Sequence, residues 1–588
     1  MLQTRERLQQ LSSQWHCVFD IAGCCVFCAD SQPRSLRSHV LPDNAGVILG
    51  SLFERATDLG DDTACRRASL DSTTTQATVQ SRGQHLIEHY WGNYVALLCD
   101  RGRVTALVSP MSSLACLAST VGGATWLYAC LADALQVGLP PPTPTHTYVR
   151  RAVLGQLPEA NDSLHGMIRL NRGEALDLHP GAQPPGLHRR CAWDPHRFTE
   201  TSALIDSPVV AAHAIRNVVR SCTQTLARDY DHIQLRLSGG LDSSIIAGCL
   251  RDAPARVACH TYLHIGTSAD PRSWAHLAAD HAGYPLSEHL VNTTSLSLPS
   301  LDRLRRSADI VSRTNYLFLP QLERTLCNTQ GPSAVFTGDG GDAGFCSDCV
   351  ALALVQRLHH RGLTLRAWRL SRHVALATHR SQWHVLTQAI KAWRGRVPWT
   401  DPTAWNSQDM ELIALDLAHA ARSSLKHPWL PDNDDEAPLT FFRLGALVLP
   451  IEERDLSVRT DDFGPEIVQP LCSQPVVELM LRIPVYLHFE DGRDRGLARR
   501  AFAQDASRPN LERVWKDRAP GFFSELILRH VEWLREVLLD GVLVGAHYLD
   551  RRKLEAALAA TPSHTSVNPG ELLRYLDIEL WARQWKRA

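Results

Sequence analysis

The segment Leu235-Arg-Leu-Ser-Gly-Gly-Leu-Asp-Ser-Ser-Ile-Ile-Ala247 constrains this chain most, because it compresses a strand, a glycine turn and a helix start into one short run. Ile233, Leu235 and Leu237 alternate with polar neighbours into the turn, and Ser244 to Leu250 carry small and apolar residues suited to a helix packed on a sheet. Gly239 and Gly240 permit positive φ and lack Cβ atoms, so successive backbone N–H groups can close around an anion at the helix start. Ser238, Ser243 and Ser244 add hydroxyl donors. Asp242 would repel phosphate unless a cation lies between them, which implies Mg²⁺. The same residues also suit a plain glycine turn with a serine cap before a core helix. No GxxxxGK[ST] run occurs, so γ-phosphoryl transfer has no support.

A second segment, Ala334-Val-Phe-Thr-Gly-Asp-Gly-Gly-Asp-Ala-Gly-Phe345, is again an apolar strand entering a glycine turn, now carrying Asp339 and Asp342. Ligands of open parallel sheets bind at the carboxyl ends of the strands, so the two loops are expected to converge on one nucleotide, with Asp242 and Asp342 sharing a metal. Two unrelated surface turns rich in Gly and Asp would explain each loop singly, but not their matching context.

The first loop, read as Ser238-Gly-Gly-Leu-Asp-Ser-Ser244, resembles the SGGLDSS motif of the asparagine synthetase superfamily of N-type ATP pyrophosphatases, and Thr337-Gly-Asp-Gly-Gly-Asp-Ala343 resembles its SGEGSDE pattern. The resemblance implies an ATP site built from Ser238, Gly239, Gly240, Asp242, Ser243 and Ser244, with Leu263, Gly338 and Gly340 contributing, and Mg²⁺ on Asp242 and Asp342. It places Asp339 near the reacting groups. Thr261 to Asp270 is similar to the strand and loop that enclose adenosine, with a helix following through Ala282. Arg513-Val-Trp-Lys516 is similar to the segment whose lysine stabilises the transition state, so Lys516, Arg513 and Asp339 are the implied catalytic residues. Implied by the same relatives is carboxylate attack on the α-phosphorus, loss of pyrophosphate, and amine attack on the acyl-adenylate.

Asparagine synthetases begin with a glutaminase domain whose nucleophile is a cysteine exposed at position 2; this chain reads Met1-Leu2, so no glutaminase activity is expected. Cys17, ahead of the apolar run Val18 to Phe27, would be exposed only by a cut after His16. That run resembles the domain's first strand, His89 to Asp100 the strand after its glycine turn, and Gly166 to Leu176 its closing hairpin. Val108-Ser-Pro-Met-Ser-Ser113 stands where a glutaminase carries its arginine-aspartate loop. The nitrogen is then expected to come from the substrate, as in β-lactam synthetase and the lasso peptide cyclases. Trp91-Gly-Asn-Tyr-Val-Ala96, Pro470 to Leu479 with Arg482-Ile-Pro484, and Gly492 to Phe502 resemble the cyclases. The resemblance runs from about Cys17 to Arg583. It implies an Asp or Glu side chain of a precursor core peptide as the activated acid, the peptide's N-terminal amine as acceptor, and a leader peptidase and leader-recognition partner. A β-lactam synthetase-like enzyme, or a peptide-binding scaffold with an inactive synthetase fold, are the alternatives.

The implied fold class is α/β: an Ntn-hydrolase-like, degenerate glutaminase α+β sandwich over 1–195, followed over 200–588 by an ATP pyrophosphatase domain with a mostly parallel sheet and additional helices. At 588 residues two domains are expected. His179 to Gly186, rich in Pro and Gly, ends the first, and the irregular run Cys191 to Phe198 leads into a helix from about Ser202. Pro431 to Pro438 reads as an exposed acidic loop. Trp368, Trp383 and Trp393 either line a peptide cavity or pack between helices. A net charge of −1 gives no footprint for nucleic acid. No apolar run reaches the roughly 18 residues of a membrane span, and no secretory h-region opens the chain, so a cytoplasmic protein is expected. Among 16 cysteines, Cys25/Cys28 and Cys346/Cys349 have zinc or redox spacing.

Overall fold

The computed structural model describes residues 15–29, 37–56, 60–153, 164–179, 187–264, 272–303, 307–308, 310, 314, 317, 319–327, 333–347, 350–378, 380–394, 411–414, 466–513, 520–559 and 568–586. Lys516, Cys349, residues 265–270 and the 431–438 loop lie outside them.

Two sheets organise the chain. The first is antiparallel, with spatial order Leu187–Cys191, Glu174–Leu178, Arg103–Val108, Tyr90–Asp100, Gly46–Glu54 and Ser38–Val40. Its two long central strands pair from Gly46 opposite Leu98 to Glu54 opposite Tyr90. Both read as near-continuous apolar runs rather than alternating ones, because both faces are covered. One face packs under the hairpin Trp15–Ile21/Cys24–Ala29, with Phe19 and Val26 against Val47, Val95 and Ala106. The expected single first strand over Val18 to Phe27 is therefore two strands, folded back at Gly23, whose φ of 91° is open to glycine. Gly166 to Leu176 also divides: Ile168–Arg169 joins a small sheet with Leu117–Val121, while Glu174–Leu178 joins the large one.

The second sheet is parallel throughout, in the order Leu286–Val291, Arg256–His264, His232–Arg236, Ser333–Phe336, Glu466–Val468. Chain order runs outward from the central strand His232–Arg236, first to one side and then to the other. The order of winding, not the strand direction, thus reverses between His232–Arg236 and Ser333–Phe336, and at such a switch point the crevice for a ligand lies beyond the strands' carboxyl ends. The helix ahead of this sheet starts at Pro208 rather than near Ser202: Ser207 accepts from the Val210 N–H, and Pro208 fits the first helical position, where its missing donor costs nothing.

One apolar core joins the sheets. Ile48, Leu52, Trp91 and Tyr94 belong to the same buried cluster as Ile215, Val219, Ile233 and Ile245. Polar contacts pin this junction. Glu478, buried on the helix Gln474–Arg482, accepts from Arg55 through both oxygens (2.6 and 3.0 Å), from Trp193 Nε1 (3.0 Å) and from Gln474 Nε2 (2.8 Å). Among the described residues, Trp368 and Trp383 stand outside the buried clusters. They are 46% and 70% exposed and meet edge to face at 5.7 Å on the outer side of two helices. Among the described residues, no helix is long and apolar enough to cross a membrane.

Candidate active site

Both glycine loops sit at the crevice and touch. The first follows His232–Arg236, and Gly239 adopts φ 67° there. A Cβ on Gly239 would lie 2.3 Å from the Trp274 carbonyl carbon and 2.5 Å from the Ala275 nitrogen, so the helix Arg272–Ala282 approaches as only glycine allows. Gly240 caps the helix Leu241–Cys249, and its carbonyl accepts from the hydroxyls of Ser244 (2.7 Å) and Ser243 (3.4 Å). Ser238, exposed, lies 3.3 Å from the Ser243 hydroxyl. The loop rests on a buried support: Asn510, fully buried, donates to the carbonyls of Gly239 and Trp274, both at 2.9 Å. Arg513 donates to Gly239 O at 3.3 Å and lies over the Trp274 ring at 5.1 Å. In the described structure Arg513 braces the loop from beneath.

The second loop leaves Ser333–Phe336 and turns at Gly340, with φ 91°, into the short helix Gly341–Gly344. Its glycines are needed for approach as well as for turning. A Cβ on Gly338 would fall 2.5 Å from the Ser243 nitrogen, and one on Gly341 would fall 2.4 Å from the Asp242 carboxyl carbon. The expected convergence of the loops is thus a backbone-to-backbone contact at Asp242 and Ser243. Cys472 covers the other side: its thiol lies 3.6 Å from Asp339 O, and a Cβ on Gly340 would meet its sulfur at 2.5 Å. Leu263 stands on the neighbouring strand, 9% exposed, opposite Leu290.

Asp242 and Asp342 converge on one atom, Nη1 of Arg495, at 3.2 and 2.9 Å. Arg495 itself has φ 54°, a left-handed backbone unusual for arginine, and its Nε also bonds Asp494 at 2.9 Å. Burial raises the Asp494 carboxyl above its usual range despite that guanidinium. Two carboxylates aimed at a single cation, with oxygen donors only, fit a hard divalent ion such as Mg²⁺. Inspection of the sequence missed Arg495; its signal lay in Gly492-Arg-Asp-Arg495, a basic pair around an acid next to a helix. Also missed was a buried ionic group below the crevice, where Arg236 (2.6 Å), Tyr262 (3.0 Å) and His260 (3.4 Å) all reach Glu323 Oε1.

The segment Val108 to Ser113 carries no ionisable side chain and is tied down. The Asn93 amide receives the Ser112 hydroxyl at 2.8 Å and the Ser113 N–H at 3.0 Å, and donates to the Ser113 hydroxyl at 2.8 Å. Of the spaced cysteines, Cys25 and Cys28 are three apart on one strand and so face opposite ways, and Cys346 is fully buried in a helical cluster.

The asparagine synthase family profile matches residues 214–583, well over half the chain and spanning both loops, Arg495 and Arg513. The chain belongs to the asparagine synthase family. No curated protein matches it. Among solved structures, it is similar in part to the allosteric regulatory enzyme of purine biosynthesis, at 10% identity and TM-score 0.18, over 43% of this chain and 62% of that one. A second partial likeness is to glutamine phosphoribosylpyrophosphate amidotransferase from B. subtilis, at 11% identity and TM-score 0.16, over 51% and 63%. The chain thus spans less than two thirds of either structure, and neither likeness defines its fold.

Proposed function

We propose that this family member is a lasso peptide cyclase: it adenylates an Asp or Glu side chain of a ribosomal precursor core peptide and closes a macrolactam with the peptide's N-terminal amine. The observation that carries the adenylation half is the meeting of Asp242 and Asp342 on one cationic point at the sheet's switch point. Supporting a nitrogen drawn from the substrate is the serine-rich turn Val108 to Ser113, held shut by Asn93. The choice of a peptide substrate rests on the likeness of Trp91–Ala96, Pro470–Leu479 and Gly492–Phe502 to the cyclases.

In this reading the first loop and the positive end of the helix Leu241–Cys249 hold the triphosphate. Asp242 and Asp342 would hold Mg²⁺, which when bound would supply charge neutralisation for pyrophosphate. Arg495, which bonds both aspartates, would pair with phosphate oxygens where the metal took its place. Asp339 orients the incoming amine, whose proton must be lost as the amide forms. Lys516 stabilises the charge on the tetrahedral intermediate. The Ntn-hydrolase-like region over 1–195 then serves as scaffold, and a leader peptidase with its recognition partner delivers the peptide. Incubation with ATP and a precursor core peptide tests the proposal: AMP and pyrophosphate should appear with a product lighter by one water, and Asp242→Ala should abolish it. Turnover of a free β-amino acid, with none of the peptide, would replace this reading by a β-lactam synthetase-like one.

A further inference from the structure

We propose that Cys17, Asp20 and Cys25 form a binding site for a thiophilic divalent cation of the zinc class on the outer face of the N-terminal hairpin. One ligand atom from each lies within 4.8 Å of the other two. The placement is not what strand periodicity alone gives. Residues 17 and 20 are three apart, so a regular strand would send them to opposite faces. The pairing instead slips between Cys17 and Phe19: Asp20 stands opposite Cys25 and Phe19 opposite Val26, but Cys17, not Val18, stands opposite Phe27. This bulge turns Cys17 onto the face of Asp20 and Cys25, while Phe19 and Val26 go into the core.

The spacing suits a metal better than a disulfide. The two thiols lie 3.6 Å apart. Two Zn–S bonds of about 2.3 Å at a tetrahedral angle hold their sulfurs roughly 3.8 Å apart, whereas a disulfide needs about 2.05 Å. Asp20, exposed, supplies an oxygen from the solvent side, and water completes four-coordination. Neighbouring thiols do not compete: Cys24 and Cys28 alternate to the inner face, and Cys24 is hydrogen-bonded to the Cys99 thiol. A metal takes thiols as thiolates, so the occupied site would hold two thiolates, one carboxylate and the dication, a net charge of −1. A two-stranded hairpin is marginal alone, and such a site would tie its two strands together beside the turn, where Asp20 faces Cys25.

The test uses the full chain, reduced, stripped of metal under anaerobic conditions and titrated with Co²⁺. Expected are one tight equivalent with intense near-ultraviolet thiolate-to-cobalt absorption and tetrahedral visible bands, and loss of that equivalent in the Cys17→Ser/Cys25→Ser variant. Asp20→Ala, at an exposed position and so free of folding risk, should weaken Co²⁺ at least about tenfold with the thermal transition unchanged. Equal cobalt uptake by wild type and the double variant overturns the proposal. So does a Cys17–Cys25 disulfide in the isolated protein whose reduced form takes up no cobalt.

Discussion

Gly338→Ala isolates the contact on which the active site depends. Gly338 has no left-handed backbone, so a methyl group there meets only steric resistance, and that resistance is backbone: the Ser243 nitrogen at 2.5 Å and the Asp242 carbonyl carbon at 2.8 Å. Ordinary van der Waals contact begins near 3.4 Å, so the loops must part by about 0.9 Å. That motion separates Asp342 from Asp242, which now reach one nitrogen at 2.9 and 3.2 Å. Misplacement of reacting groups by about 1 Å can cost on the order of 10²-fold in rate, whereas overpacking of this kind costs about 1–3 kcal/mol of stability. Gly338→Ala should therefore remain folded, bind Mg·ATP at least about tenfold more weakly by calorimetry, and release pyrophosphate on the order of 10²-fold more slowly. Gly545→Ala is the control, because a Cβ there meets nothing within 4 Å. If both variants bind Mg·ATP within a factor of two of wild type, the loops do not touch in solution and the shared-cation argument fails.

Other perturbations follow from the same geometry. Arg495→Ala leaves two carboxylates facing each other without their guanidinium, so Mn²⁺ binding without nucleotide, followed by electron paramagnetic resonance, should tighten by roughly tenfold or more; unchanged binding would remove Arg495 from the cation point. Arg55→Ala leaves the buried Glu478 carboxylate without its cation, with only the neutral donors of Trp193 and Gln474, and should cost about 3–5 kcal/mol in urea denaturation. Burial alone would raise the Glu323 carboxyl, but the His260 ring and Arg236 hold it below its ordinary value near 4.5. A depressed carboxyl stabilises the fold above that value and loses its contribution as pH falls through and below it. Unfolding free energy should thus decline below about pH 4.5, and Glu323→Gln should flatten that slope.

The site's two acidic loops were legible because each is local: apolar alternation, paired glycines and an aspartate at fixed offset define a strand-turn-helix wherever they occur. Their meeting could be inferred from the rule for parallel sheets. What was not legible came from chain returning over long distance or from broken periodicity. Arg495 fills the point between Asp242 and Asp342, but nothing about a basic pair near a helix says which carboxylates it will reach. Cys17 joins Cys25 only through a bulge, against the alternation that sequence reading assumes. Nor does a tryptophan among helical leucines say which way it faces: the helices of Trp368 and Trp383 bury Leu370, Val374, Leu386 and Ala389 and turn the tryptophans outward.

The antiparallel sheet, though it supplies no group to the crevice among the described residues, is mechanically two steps from it. Arg55, at the end of the strand Gly46–Glu54, and Trp193, after the strand Leu187–Cys191, fix Glu478 on the helix Gln474–Arg482. That helix begins at the turn Pro470–Cys472, whose Cys472 sulfur presses on Gly340 and Asp339. A scaffold in this position cannot be lost without loosening the second acidic loop. Arg55→Ala should on this account weaken Mg·ATP binding as well as stability, whereas removing an exposed pair such as Arg508 and Glu512 should alter neither.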